Sequence, residues 1–129
     1  MRDAISEKIV THTALLEANT RFYAAFRAGD MITMGELWAR EGPVAVHHPA
    51  SGHVSGRVAV LDSWRVILRS PPDVVCVVET LLEDDETWAV ICTERLGPIS
   101  LPMVNLFRQE DETWRMTYHG PAPAPHLRH

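Results

Sequence analysis

From Val74 onward the chain consists of four segments that read as strands, separated by turns too short for anything but hairpins. Val74 to Leu82 is dense in Val. Thr87 to Leu96 follows the acidic turn Glu83-Asp84-Asp85-Glu86. Leu101 to Gln109 comes next, and after Glu110-Asp111-Glu112 comes Trp114 to His119. Strands this close in sequence pair as an antiparallel meander. Alternate side chains point to opposite faces of a strand. Leu101, Met103 and Phe107 therefore share one face, and Val104 and Leu106 the other. By the same count Val74, Cys76 and Val78 oppose Val75, Val77 and Leu81. A sheet that is apolar on both faces must be covered on both.

The first half of the chain supplies one cover. Between Asp3 and Ala28, Ile5, Ile9, Leu15, Leu16, Phe22, Tyr23 and Phe26 recur at helical spacing and form one apolar stripe. Asp3 suits the N-cap and Gly29 the stop. Asp30 can cap a second helix through Arg40, with Ile32, Leu37 and Trp38 on its buried side, ended by Gly42-Pro43. Val44 to His48 reads as a short strand closed by Pro49, and Ala50 to Gly56 as a loop or hairpin. Arg57 to Arg69 returns to helix spacing, and Ser70-Pro71-Pro72 stops it. Three helices cover one sheet face. A bare apolar patch on the other marks an association surface, so a homodimer packed through the outer sheet face is expected.

A chain of 129 residues, 46% apolar and 22% charged, is one domain with one core. We place that domain at residues 1–120 and a Pro-rich tail at 121–129. Acidic residues outnumber Lys plus Arg by 17 to 12, a net charge of -5, which disfavours nucleic acid and anionic membranes as partners. No apolar window is long enough to span a bilayer. With no signal-peptide pattern, a cytoplasmic location is expected, with Cys76 and Cys92 as buried free thiols.

The order of these elements resembles the nuclear transport factor 2-like, or SnoaL-like, superfamily. The resemblance rests on Phe22-Tyr23-Ala24-Ala25-Phe26-Arg27-Ala28-Gly29-Asp30, Glu36-Leu37-Trp38-Ala39, His48-Pro49, Gly56-Arg57 with Ser63-Trp64, and Asn105-Leu106-Phe107-Arg108 with Trp114-Arg115-Met116. It spans residues 15 to 119. It implies an α+β fold: N-terminal helices on a strongly curved, mainly antiparallel sheet that forms a conical barrel with an internal pocket. The superfamily holds isomerases, dehydratases, cyclases, an epoxide hydrolase and non-catalytic association domains, so the fold alone names no activity.

His48 and Asn105 are the candidate catalytic residues. Val44, Val46 and His48 share a strand face, and a neutral imidazole on an apolar wall can take a proton near neutral pH. His48 resembles in position the catalytic Asp of ketosteroid isomerase. Asn105 interrupts the apolar face of Leu101, Met103 and Phe107. It resembles the protonated Asp that donates to the substrate oxygen in that enzyme. The family's oxyanion Tyr falls on Phe22, with Tyr23 rotated away by about 100° on a helix, so steroid isomerisation is not expected. Either residue could instead be a hydrogen-bonded core group. Phe22, Phe26, Trp38, Trp64, Met103 and Phe107 are candidate ligand contacts, or plain core. Glu94 is a pocket carboxylate or a partner for an Arg at the dimer interface, and the favoured reading is the interface or an ion pair. Tyr118 and His119 face opposite ways, so only one reaches a pocket. His47 and His48 diverge on a regular strand and cannot chelate one ion, so neither a metal nor another cofactor is expected. Two readings stand. One is a small-molecule pocket protein of the lyase, isomerase or hydrolase kind, acting on an apolar oxygenated compound. The other is a non-catalytic dimerisation or association module.

Overall fold

The computed structural model describes residues 3–49 and 52–122. Helix α1 (Ala4–Ala28) is capped by the Asp3 carboxylate, which accepts from the Ser6 amide at 2.8 Å, and ends at Gly29 in the left-handed region. Helix α2 (Met31–Leu37) is capped the same way by Asp30, from the Thr33 amide at 3.1 Å. Strands β1 (Ala45–His48) and β2 (Gly52–Ser55) form a small hairpin before α3 (Arg57–Ile67). The meander follows as β3 (Val74–Asp84), β4 (Thr87–Leu96), β5 (Ile99–Glu110) and β6 (Thr113–Pro121), joined by two-residue turns. Asp111 and Glu112 both take positive φ, and Gly97 does so ahead of Pro98, as tight hairpins require.

The six strands form one sheet in the order β2-β1-β6-β5-β4-β3. All pairings are antiparallel except β1 with β6. The expected α+β architecture is present, but the sheet does not close into a barrel: β2 and β3 are its two edges. The helices lie on one face and bury Leu15, Phe22, Met34, Trp38, Trp64, Val90, Met103 and Phe107. Arg57 ties α3 to α2. Its guanidinium donates to the Trp38, Ala39 and Gly35 carbonyls at 2.7, 3.0 and 2.9 Å, at the otherwise unsatisfied end of α2.

Several expectations need correction. Ile5 and Ile9 are exposed, because burial along α1 begins only past its first two turns, where His12 meets Trp88 edge-on and Leu15 enters the core. Ile32 is exposed too, and Met34 takes its place in the core. Leu81 does not share a face with Val75 and Val77. A bulge between Val78 and Thr80 adds one residue, and Leu81 then pairs with inward-facing Val90. Gly120 and Pro121, assigned to the tail or its approach, extend β6, with Pro121 opposite Met103 at the strand's end. Residues 123–129 of the expected tail lie outside the described residues. No described helix is long and apolar enough to cross a membrane.

Candidate functional site

A cavity of about 510 Å³ opens between the end of β1, α3 and the inner faces of β4 and β6. Its walls are apolar: Phe26, Pro49, Val54, Val66, Ile67, Pro72 and Leu96. Its polar groups are His48, Ser63, Glu94 and His119.

Each is placed by local structure. His48 is the last residue of β1, on the face of Val46, and Pro49 ends the strand behind it. Its Nε2 lies 3.0 Å from Ser63 Oγ, whose own proton goes to the Val60 carbonyl at 2.6 Å. His48 Nε2–H is therefore the donor, which leaves Nδ1 as the ring's acceptor. The ring meets Trp64 edge-on with centroids 4.8 Å apart. Burial, and then the neighbouring His47, hold the His48 pKa down at about 4, so the ring is neutral at pH 7.

His119 owes its place to a bulge. Leu106 pairs with Tyr118 but Phe107 with Met116, so Thr117 is the extra residue. That shift lets Met116 and His119, three apart, both face inward. Tyr118 turns outward over Gly120, where an added Cβ would collide with the Tyr118 hydroxyl. His119 is buried, and its pKa is lowered to about 3 by desolvation, then by His48. Its Nδ1 contacts the Asn105 carbonyl oxygen at 2.6 Å, and its Nε2 lies 3.5 Å from Glu94 Oε2. Because Asn105 Oδ1 can only accept, Nδ1 carries the proton and Nε2 presents its lone pair toward Glu94.

Glu94 continues the inward row Trp88, Val90, Cys92 of β4. Burial raises its pKa against the lowering effect of the Tyr23 hydroxyl, which donates to Oε2 at 2.7 Å. Burial acts on both members of the Glu94–His119 contact in the direction that removes charge. The His119 ring is thus neutral at pH 7, and the Glu94 carboxyl keeps its proton to higher pH than a free one. Behind them, the Asn105 amide donates to Asn19 Oδ1 at 2.8 Å and to the Tyr23 hydroxyl at 3.2 Å. Tyr23 itself is shifted up, by burial first and Glu94 second, and stays a phenol.

The structure brings His48, Glu94 and His119 to one cavity. Asn105 is fully buried behind His119 and does not line it. Of the candidate ligand contacts, Phe26 lines the cavity, whereas Phe22, Trp38, Trp64, Met103 and Phe107 are core residues, Trp64 and Phe22 forming the bed under the two imidazoles. Glu94 faces this cavity and not an outer interface. Tyr23, placed off the site by helix rotation, in fact points its hydroxyl at Glu94 and Asn105. Sequence reasoning misses Asn19. It sits one helical turn before Tyr23, so the helical period alone could have placed the two on one face. Among the described residues no three His, Cys, Asp or Glu side chains converge to hold a metal ion.

Helices packed on one face of a bent mixed sheet, with an apolar cavity floored by buried titratable groups, define an α+β pocket domain. The SnoaL-like domain model matches residues 15–124, and the chain belongs to that family. Solved structures agree. A candidate dehydratase of the NTF2-like family from Streptomyces avermitilis is 29% identical, over 87% of this chain and 96% of that one, with a TM-score of 0.69. A candidate calcium/calmodulin-dependent protein kinase type II association domain from Thiobacillus denitrificans is 27% identical, over 82% and 93%, with a TM-score of 0.70. An NTF2-like protein of unknown function from Shewanella oneidensis superposes with a TM-score of 0.71 at 10% identity, over 88% and 99%, and speaks for the fold alone. No curated protein matches the sequence.

Proposed function

We propose that the chain is a lyase-type enzyme that binds a small, largely apolar molecule bearing an oxygen function and moves protons on it, as in the dehydration of a β-hydroxy carbonyl compound. The observation that carries this reading is the cavity floor: two neutral imidazoles and a buried carboxyl in otherwise apolar walls. Such a floor accepts an uncharged ligand without stranding a charge. It also offers a carboxyl and a neutral imidazole base to one cavity. His48 Nδ1 takes the proton α to the carbonyl, the α-carbon's electron pair forms the double bond, and Glu94 protonates the departing hydroxyl, which leaves as water. His48 alone is a weak base. As it becomes cationic while Glu94 becomes anionic, each charge stabilises the other, and the proton then returns from His48 to Glu94. Asn105 is a positioning residue that holds the His119 tautomer. The resemblance to a candidate dehydratase at 29% identity points the same way.

The test is a screen of short β-hydroxy carbonyl compounds, read as ultraviolet absorption of the conjugated product. His48→Gln and Glu94→Gln should each lower turnover about 10²–10⁴-fold with ligand affinity kept within a few-fold. Turnover unchanged in both folded variants would overturn the reading.

A second reading is an association module that works as a homodimer. It is favoured by the outer sheet face, where Val75 is 48% exposed and Val77, Val104 and Leu106 are only half-buried, and by the likeness to a candidate association domain.

A further inference from the structure

The polar side chains of the cavity have their protons committed to protein partners. His48 Nε2–H donates to Ser63 Oγ at 3.0 Å, and the Ser63 hydroxyl donates in turn to the Val60 carbonyl at 2.6 Å. His119 Nδ1–H donates at 2.6 Å to Asn105, which does not line the cavity. The nearby Tyr23 hydroxyl donates to Glu94 Oε2 at 2.7 Å. The backbone of the wall adds little. Pro49 and Pro72 have no N–H at all. Phe26, Val66 and Ile67 lie within α1 and α3, whose own carbonyls take up their amides.

What these side chains have left are acceptors: His48 Nδ1, a lone pair on Ser63 Oγ, His119 Nε2 and Glu94 Oε1. Among the described residues, the polar side-chain atoms sealed off without a partner are Trp38 Nε1, Trp64 Nε1 and Arg115 Nε. His48 Nδ1 and Glu94 Oε1 are not among them and accept from no described group, so both are open to a ligand. Glu94 supplies at most one proton, and His119 Nε2, 3.5 Å from its Oε2, competes for it. The Trp64 indole N–H is sealed in the core and does not line the cavity.

Resting on the reading of this cavity as a ligand site, we propose that it selects uncharged, mainly apolar alcohols, which bring the hydroxyl proton that His48, Ser63 and Glu94 lack, over ketones and ethers of the same shape. An alcohol O–H can donate to any of these acceptors. A ketone or ether oxygen offers only lone pairs, so it gives up its water and finds no donor in return. An ammonium group brings donors, but its counter-charge at the cavity is Glu94, a carboxyl whose ionisation is opposed by burial. In a β-hydroxy carbonyl compound the hydroxyl end then reaches the floor, and the carbonyl oxygen lies toward the mouth, where water can meet it.

The test compares four probes of one shape: 4-tert-butylcyclohexanol, its ketone, its methyl ether and its amine. Each is titrated into the full chain at pH 7 and followed at the His48 and His119 ring resonances, which also locate the site. The alcohol should bind about tenfold more tightly than the ketone or the ether, and more tightly than the amine. Nitrogen spectra of the unliganded chain should show His48 protonated at Nε2 and His119 at Nδ1. Ser63→Ala, with its fold checked by circular dichroism, leaves His48 Nε2–H without an acceptor and so gives the cavity a donor. The preference for alcohol over ketone should then fall to about twofold. A wild-type ketone affinity equal to that of the alcohol, an amine that binds more tightly, or either ring in the other tautomer overturns the proposal. So does an unchanged preference in folded Ser63→Ala, or failure of all four probes to bind at millimolar concentration. Selective binding of the alcohol without turnover of any β-hydroxy carbonyl compound removes the lyase reading and leaves this one standing. Turnover without the alcohol preference does the reverse.

Discussion

His119 shows how one side chain can draw its character chiefly from burial. It and His48 are both held below their ordinary value of 6.5, at about 3 and about 4, because the folded chain withholds water from the imidazolium. Between those values and 6.5 the unfolded chain binds more protons than the folded one. The stability due to the neutral rings is complete above pH 6.5 and is lost as pH falls through that window. Glu94 has the opposite sign. Its raised pKa costs stability as pH climbs above 4.5, where the unfolded carboxyl is already ionised. A tenfold difference in proton affinity between the folded and unfolded chain is worth about 1.4 kcal/mol, enough to register in a domain whose total is about 5–15 kcal/mol. Urea midpoints measured from pH 7 to pH 4 should fall for the wild type and fall less steeply for His119→Gln. A slope unchanged by the substitution would mean that His119 is not the group titrating.

How much of this is legible in the sequence depends on the residue. His48 and Glu94 sit on strands of plain alternation, so their inward direction can be counted from Val46 and Cys92. His119 cannot be counted, because the bulge at Thr117 breaks the parity and nothing in the sequence marks it. Tyr23 escapes for another reason. Comparison with the family position assumes that only one of two adjacent helical residues faces inward. Here α1 packs deeply enough to bury Phe22 and Tyr23 together.

At the level of elements, caps and hairpin turns are the readable part. Asp3, Asp30 and Gly29 stand where their chemistry says helices begin and end. Gly29 carries more than its left-handed φ of 67°: an added Cβ would come within 2.9 Å of the Leu68 carbonyl, at the end of α3. A backbone oxygen at the close of a helix cannot swing aside as a side chain could. Gly29→Ala should therefore destabilise by about 1–3 kcal/mol, through the α1 end and the α1–α3 contact together. Thermal or urea unfolding checks this, and a midpoint equal to wild type would show that the two helices can part freely. Edges are less readable. The bulge in β3 sends Leu81 inward, and the outer face is smaller than strict alternation suggests.

For the whole molecule, the outer face remains apolar even without Leu81. Val75, Val77, Val104 and Leu106 spread over β3 and β5, with Ala89 and Ile91 of β4 between them. A face of this kind is buried by a second copy in the dimer we propose. Sedimentation at micromolar concentration should give twice the mass of one chain. Val104→Asp should return it to one chain, because a charge at the centre of such a contact would be desolvated without a partner. A wild-type chain that sediments as a monomer removes the association reading.

The one parallel ladder has a consequence for the newborn chain. Ala45 pairs with Tyr118 and Val46 with His119, roughly 70 residues apart. At a synthesis rate of about 5–20 residues per second, β1 waits several seconds for the strand that flanks it. Until then its only partner is β2, and an isolated two-stranded hairpin is marginal in water. The helices and the β3–β4 hairpin can take shape meanwhile. The cavity floor cannot, since its His48 half emerges early and its His119 half late. During that interval Val46 lacks the cover of β6, and the chain on the ribosome offers the kind of apolar surface that chaperones bind.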